Sequence, residues 1–379
     1  VPDEVRQAIA YAPALRAGAE RVLRANWREG TRGDGIAYAY TCPAPPRYRH
    51  MWHWDSCFHA IAWRTVDPAR ARAELRTVMR SGRPDGFLPH TVFWDAPAGW
   101  RRAPLYATRR PFGDRHTETI GPPLLAFAWE LVAGASPDAP GFRTEALAAL
   151  AAHLRWLEQH RDPDEDGLLS IVAPDESGLD DSPKYGPVFG RLTHDRAGYA
   201  LLMERGRRAR WDSRTLIARY DHHVEDVWIN VAYALSLHAM ARLSGHRAWS
   251  ARAARVERAL LERCLDERTG LFFDLAGPEE RPVRISTWSA LSPLALPGLP
   301  DAVRRRLVEE HLLDDRRYRA PVGIPSVSMD EPAFNRSEFR VKNLLLGGAR
   351  RASVAVSSPD ELQAHRRVPR GRRGRRGRP

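Results

Sequence analysis

Cysteine is scarce in this sequence: Cys42, Cys57 and Cys264 are widely separated, odd in number and form no CxxC pair. That spacing excludes a disulfide framework and a zinc knuckle, and it reads as reduced thiols in a cytoplasmic protein. Long apolar runs are missing too, since none approaches the roughly 20 residues that a membrane span needs. The first residues, VPDEVRQAIA, carry neither the charged region nor the apolar stretch of a signal peptide. Lysine is nearly absent, with Lys184 and Lys342 the only lysines among 59 basic residues. Strict apolar–polar alternation is rare, which argues against a sheet protein, and no short repeat or linker interrupts the chain before residue 335.

The net charge of +12 would suit a nucleic-acid binder if it were spread over the folded body, but +10 of it falls between Arg336 and Pro379. The first 335 residues are nearly neutral. The ending RRVPRGRRGRRGRP has no aromatic to stack a base and no apolar periodicity to fold, so no specific nucleic-acid partner is expected. The body instead carries one amphipathic or buried helical pattern after another. DPARARAELRTVMRSG opens on Asp67 as N-cap and Pro68 at the first helical position and stops at Gly82. PPLLAFAWELVAGASP, GFRTEALAALAAHLRWLEQH, VEDVWINVAYALSLHAMARLSG and RAWSARAARVERALLERCLD repeat the theme. Between the helices lie four segments rich in Trp, Tyr, Pro, Gly and acids, 41–56, 84–119, 162–187 and 318–334. Loops this long in a compact helical domain are functional or disordered, and these are too aromatic for disorder. The expected organisation is one domain of paired helices, residues 1–335, with its site built from loops, followed by an Arg/Gly-rich irregular tail, 336–379.

Two stretches of these loops carry chemistry. PPRYRHMWHWDSCFHA packs Tyr48, Trp52 and Trp54 close to Asp55 just before a helix. Its plain reading is an aromatic plug between helices; the functional one is a sugar site, where aromatic faces meet the apolar faces of a pyranose and carboxylates accept from its hydroxyls. His90, Trp94 and Asp95 in PDGFLPHTVFWD repeat the mixture. PDESGLDDSPKY gathers Asp175, Glu176, Asp180 and Asp181 around Gly178, too densely for a helix, and is either a solvated acidic loop or a site. Nearby, DPDEDG places Asp162, Asp164 and Asp166 before Gly167 like the opening of a calcium-binding EF-hand loop, but the twelfth position, where a closing Glu is required, is Ala173. It reads as an acidic turn, with no metal ligand expected.

WDSCFHAIAWRTVDPARARAEL, PDGFLPH, GPPLLAFA, DESGLDDSPKY, VEDVWINVAYAL and VGIPSVSMDEPAF occur in the order and approximate spacing of the mannosylglycerate and glucosylglycerate hydrolases and the related family 63 α-glucosidases, which this chain resembles over roughly residues 15–335. The resemblance implies an all-α (α/α)6 toroid of the six-hairpin glycosidases, inversion at the anomeric carbon, no cofactor, and a small α-linked glucoside or mannoside, glycosylglycerate-like or a short oligosaccharide, as substrate. By match to the ESGxD segment, Asp180 is the general acid, with Glu176 and Asp181 crowding it to keep it protonated. Tyr48, Trp54 and Asp55 correspond to sugar-binding residues, and His90 and Glu176 to sugar-binding or orienting ones. Gly121 stands where the family commonly has Gln before its PPLLA segment, which puts substrate preference in doubt.

After MDEPAF the resemblance ends, and the family's tryptophan-rich loop, further helices and basic Glu have no counterpart; Glu331 and Glu338 are the nominal acids there. The expectation is therefore a toroid incomplete at its C-terminal end, an irregular or frameshifted tail, and impaired activity. A catalytically inactive sugar-binding or regulatory protein on the same scaffold is the alternative. The sugar, the aglycone and the oligomeric state are left open.

Overall fold

The structure is a computed structural model that describes residues 3–334 apart from 98, 100, 101, 138, 194, 221, 222, 321 and 322. The tail 336–379, with Glu338 and the segment on which the expected incompleteness of the ring rests, lies outside the described residues. In chain order the elements are α1 (Asp3–Asn26), β1 (Trp27–Thr31), β2 (Ala37–Thr41), β3 (Met51–Trp52), α2 (His53–Trp63), α3 (Pro68–Arg80), β4 (Thr91–Val92), α4 (Leu125–Gly134), α5 (Pro140–Glu145) and α6 (Leu147–Arg161). They continue with β5 (Ser170–Ile171), α7 (Gly186–Phe189), α8 (Arg196–Arg208), α9 (Ser213–Tyr220), β6 (Val224–Glu225), α10 (Val227–Ser244), α11 (Arg247–Ala259), β7 (Leu265–Asp266), β8 (Leu271–Phe272), β9 (Asp274–Ala276), β10 (Arg281–Val283) and α12 (Asp301–Arg306). No helix among the described residues is long and apolar enough to cross a membrane.

The helices follow their local signals. In α3 the Asp67 side chain accepts from the Arg70 amide at 3.2 Å and Pro68 takes the first helical position, where its missing N–H costs nothing. Asp226 caps α10 by accepting from Ile229 N at 3.1 Å, and Gly245 closes it in the left-handed conformation at φ +75°. Because α10 is apolar nearly all round, it is buried along its length, and α4, α6 and α11 pack against it. The α2–α3 pair packs beside α4. Trp129 of α4 stacks on Phe142 of α5 with ring centroids 4.3 Å apart, and its Nε1 donates to the Phe142 carbonyl at 2.8 Å. The apolar periodicity of 141–160 predicts a single helix, but the structure breaks it between α5 and α6 at Ala146.

Short strands escape a search for alternation because most are two or three residues long. The antiparallel hairpin β1–β2 pairs Trp27 with Thr41 and Thr31 with Ala37. The others matter for where they bring loops together. β3 pairs with β4, setting Trp52 opposite Thr91 and joining the 41–56 and 84–119 segments. A four-stranded sheet in the order β10-β9-β6-β5 draws the start of the 162–187 segment against the residues before α10 and the 274–283 hairpin. The stacked Trp129 gives a stability prediction: Trp129→Ala should cost about 3–5 kcal/mol, whereas Arg76→Ala, which breaks a half-exposed pair with Glu145, should cost about 1 kcal/mol or less, as read by urea denaturation.

Candidate active site

A cavity of about 210 Å³ opens where the loops meet, lined by residues that include Tyr48, Trp54, Asp55, His90, Arg102 and Asp180. Of the residues singled out in the sequence, Tyr48, Trp54, Asp55, His90 and Asp180 therefore share one space although they come from three segments. Glu176 does not line it. Trp94 and Asp95 also stand away from it, for Trp94 is a core residue stacked on Tyr38, whose hydroxyl donates to Asp95 at 2.5 Å.

The wall on one side is made by the turn from β3 into α2. His53 N donates to the His90 carbonyl at 2.8 Å and His90 N to the Thr119 carbonyl at 2.8 Å, so one ladder of backbone bonds fixes Trp54, Asp55 and His90 relative to one another. Asp55 lies in the first turn of α2, where helix amides favour negative charge, yet burial pushes its carboxyl above the ordinary range. The Tyr48 ring meets Trp52 edge-on at 5.6 Å. Burial, with the charge of Asp180 adding to it, pushes the Tyr48 phenol up to about 12, so it remains a hydrogen-bond donor across the neutral range.

The other wall is the loop Pro174–Tyr185. Gly178 turns it at φ +72°, and its lack of a side chain is needed twice, since a Cβ there would also collide with the Trp54 indole. Asp180 follows on the cavity wall. Burial pushes its carboxyl up to about 6, and the like charge of Asp175 adds to the shift, with Asp55 contributing less. Of the two neighbours expected to crowd it, Glu176 does not. Glu176 is fully buried and committed elsewhere: Arg161, at the end of α6, donates to its two oxygens at 2.6 and 2.9 Å, and the amides of Ile120 and Val172 donate at 2.9 and 2.7 Å. Asp175 takes the crowding role because it lines the same cavity, with its Oδ2 3.7 Å from His90 Nδ1 and 3.4 Å from Thr119 Oγ1.

Past Asp180 the loop is held again. Lys184 is buried and its Nζ lies 2.7 Å from Asp226 and 2.9 Å from Asp274, while Tyr185 donates to Asp226 at 2.6 Å. Burial alone would pull the Lys184 ammonium down, but the two carboxylates outweigh it and raise it. The sequence assigned no role to Asp175, Arg102, Tyr106 or Lys184. Asp175 and Lys184 stand in the acidic loop PDESGLDDSPKY, and one of only two lysines in an arginine-rich chain is a signal that could have found the latter. Arg102 and Tyr106 carry no local signal. None of the described residues of the fourth aromatic loop, 318–334, lines the cavity. It packs behind it, where Trp288 N donates to the Ser326 carbonyl and the Trp288 ring abuts Trp228, which in turn abuts Trp54. Glu331 accepts from Ser286 N at 2.6 Å in a separate groove.

Known proteins resemble this chain in sequence and in fold. The family model described as the mannosylglycerate hydrolase MGH1-like glycoside hydrolase domain matches residues 48–343. A mannosylglycerate hydrolase of Thermus thermophilus is 29% identical over 337 residues, which cover 79% of this chain and 80% of that protein. Glucosylglycerate hydrolase of Mycolicibacterium hassiacum is 26% identical over 337 residues, covering 76% and 74%. The crystal structure of a GH63 mannosylglycerate hydrolase from Thermus thermophilus in complex with glucose superposes with a TM-score of 0.71 at 28% identity, over 86% of this chain and 82% of that one. Neutral trehalase from Saccharomyces cerevisiae, at 13% identity and a TM-score of 0.52 over 82% and 63% of the two chains, shares the fold alone. The fold is the all-α (α/α)6 toroid.

The ion cluster behind the acidic loop makes a testable statement. Lys184→Met leaves Asp226 and Asp274 as two buried carboxylates without their shared cation, and should destabilise the protein by about 3–5 kcal/mol. Thermal and urea unfolding of the variant measure it.

Proposed function

The chain belongs to the mannosylglycerate hydrolase MGH1-like glycoside hydrolases and is a glycosidase, and from that premise we propose that it cleaves a small α-linked glucoside or mannoside of an acidic aglycone, glycerate-like, by inverting general acid/base hydrolysis. Residues 1–335 are one catalytic domain in this reading, and the buried free cysteines Cys42, Cys57 and Cys264 favour a cytoplasmic setting. The observation that carries it is a carboxyl held near 6 in the wall of an aromatic-lined cavity.

Asp180 is the general acid. With its carboxyl near 6, a substantial fraction is protonated at slightly acid pH, so it can donate to the leaving oxygen as the glycosidic bond lengthens. Trp54 and Tyr48 offer aromatic surface to the sugar ring, Asp55 accepts from hydroxyl pairs, and His90 orients Asp175 or a hydroxyl. Inversion needs a second carboxylate about 6.5–9.5 Å away to activate water on the opposite face of the ring. We assign that base to none of the described residues, because Glu331 is spent on a backbone amide outside the cavity.

The acidic aglycone rests on Arg102, which lines the cavity beside Tyr106: its Nη1 donates to the Arg47 carbonyl at 2.9 Å, its guanidinium also meets the Tyr106 hydroxyl, and among the described residues no acid pairs with it, so its charge can meet a substrate carboxylate.

These roles are open to kinetic tests. Asp180→Asn should lower hydrolysis of a glycoside with a poor leaving group by about 10²–10⁴ and affect an activated aryl glycoside far less; NMR of the first-formed sugar should show the inverted anomer, and wild-type activity on the poor leaving group should fall as pH rises through about 6. Equal losses on both substrates would remove Asp180 from the acid role, and a folded wild-type chain that binds glycoside without turnover would support the inactive sugar-binding alternative. Arg102→Ala should raise KM for a glycerate-bearing glycoside about tenfold or more, the size of a lost charge-assisted contact, and leave KM for the matching neutral methyl glycoside within about twofold, the scatter expected of an uncharged contact. Steady-state kinetics on the two substrates separate these outcomes.

A further inference from the structure

The turn after α6 holds a cluster that the glycosidase reading does not use. Asp162, Asp164 and Asp166 alternate, and Gly167 at φ +104° lets the chain fold back so that its amide donates to Asp162 Oδ2 at 3.1 Å. The Leu168 amide donates to Asp166 Oδ1 at 2.7 Å. The spacing is that of a loop that wraps a cation with oxygens from its first, third and fifth positions around a glycine at the sixth, although here Asp162 turns to the Gly167 amide and to Arg255, 3.8 Å away. In sequence the loop is one ligand short, because Ala173 stands at the twelfth position.

Tertiary structure makes up the deficit. β5 pairs with β6 so that Ser170, the ninth position, faces Glu225 across the ladder. Asp164, Asp166, Glu225 and Glu280 each present a carboxylate oxygen, and these oxygens all lie within 4.8 Å of one another. Glu225 is only 2% exposed and, among the described residues, its Oε2 has no hydrogen-bond partner, nor has the Oγ of Ser170, which is 1% exposed. A buried carboxylate oxygen left without a donor is costly and calls for a partner that the side chains do not supply. Arg263 is the guanidinium that serves the four acids, paired with Asp166 at 2.8 Å and with Glu280. The cluster therefore retains a surplus of negative charge.

We propose that Asp164, Asp166, Glu225 and Glu280 bind one calcium ion, with the Ser170 hydroxyl and solvent completing the oxygen shell. Every donor is a hard oxygen, which excludes a preference for zinc or copper. Oxygens on opposite sides of Ca²⁺ stand about 4.6–5.2 Å apart, twice its usual bond length, whereas the shorter bonds of Mg²⁺ demand a tighter octahedron. The ion would tie the end of α6, β5, β6 and the 274–283 hairpin together immediately before the loop that bears Asp180.

The experiment uses the whole 379-residue chain stripped with EGTA, titrated with CaCl2 or MgCl2 by calorimetry and followed by thermal unfolding. One Ca²⁺ per chain is expected, with a Tm that climbs with Ca²⁺ concentration and a smaller climb with equal Mg²⁺. Asp164→Asn, whose side chain is exposed in the turn, should fold normally and bind Ca²⁺ at least about tenfold more weakly; Glu225→Gln should lose the calcium-dependent Tm shift. No binding heat with an unchanged Tm from EGTA to millimolar Ca²⁺ overturns the proposal, as does an undiminished shift in both variants.

Discussion

The bidentate pair between Arg161 and Glu176 is the interaction on which the site depends. It is buried completely, so both charges must find all their partners inside the protein. Glu176 finds them in three parts of the chain: the end of α6 through Arg161, the segment before α4 through the Ile120 amide, and the residue after strand β5 through the Val172 amide. Removing either charge strands the other in a low-dielectric interior. The acid loop is thus anchored at its start by electrostatics and hydrogen bonds that no local propensity would supply.

A second buried cluster anchors the loop at its end. Lys184 and Tyr185 converge on Asp226, which also caps α10, and Lys184 reaches Asp274 on β9. Asp180 lies between the two anchors, four residues from each of Glu176 and Lys184, on a turn that Gly178 presses against Trp54. This division of labour explains why so many acids crowd a short loop. Glu176 is consumed as an anchor and Asp175 supplies the like charge at the cavity. Asp180 is left on the cavity wall with burial and Asp175 both raising its carboxyl. The density of negative charge is tolerable because the loop is held by cations at both ends.

The same logic extends to the acidic turn behind the site. There the four carboxylates outnumber the Arg263 guanidinium, and among the described residues oxygens of Glu225 and Ser170 have no hydrogen-bond partner, where the proposed cation would sit. The strand pair β5–β6 links that turn to the Arg161–Glu176 anchor, since Val172, which donates to Glu176, directly follows β5. Geometry at the cavity is therefore set from behind, by polar clusters in the wall, as much as by the aromatic surface facing it.

Local sequence determined what depends on near neighbours. The caps Asp67 and Asp226, the glycine at 245, the apolar character of α10 and the aromatic–acid composition of the loops are legible because helix ends and periodicity act over a few residues, and the family motifs located Tyr48, Trp54, Asp55, His90 and Asp180. Tertiary structure decided which acid does what. Asp175 and Glu176 are adjacent and chemically alike, yet one faces the cavity and the other is buried against Arg161, because a 3₁₀ turn points consecutive side chains in different directions. Glu225 reaches its cluster through the pairing of β5 with β6, and Arg102 meets the Arg47 carbonyl from 55 residues away; neither is legible from neighbours in sequence. Charge in a sequence is a count; its effect is a matter of distance and burial, which only the folded chain fixes.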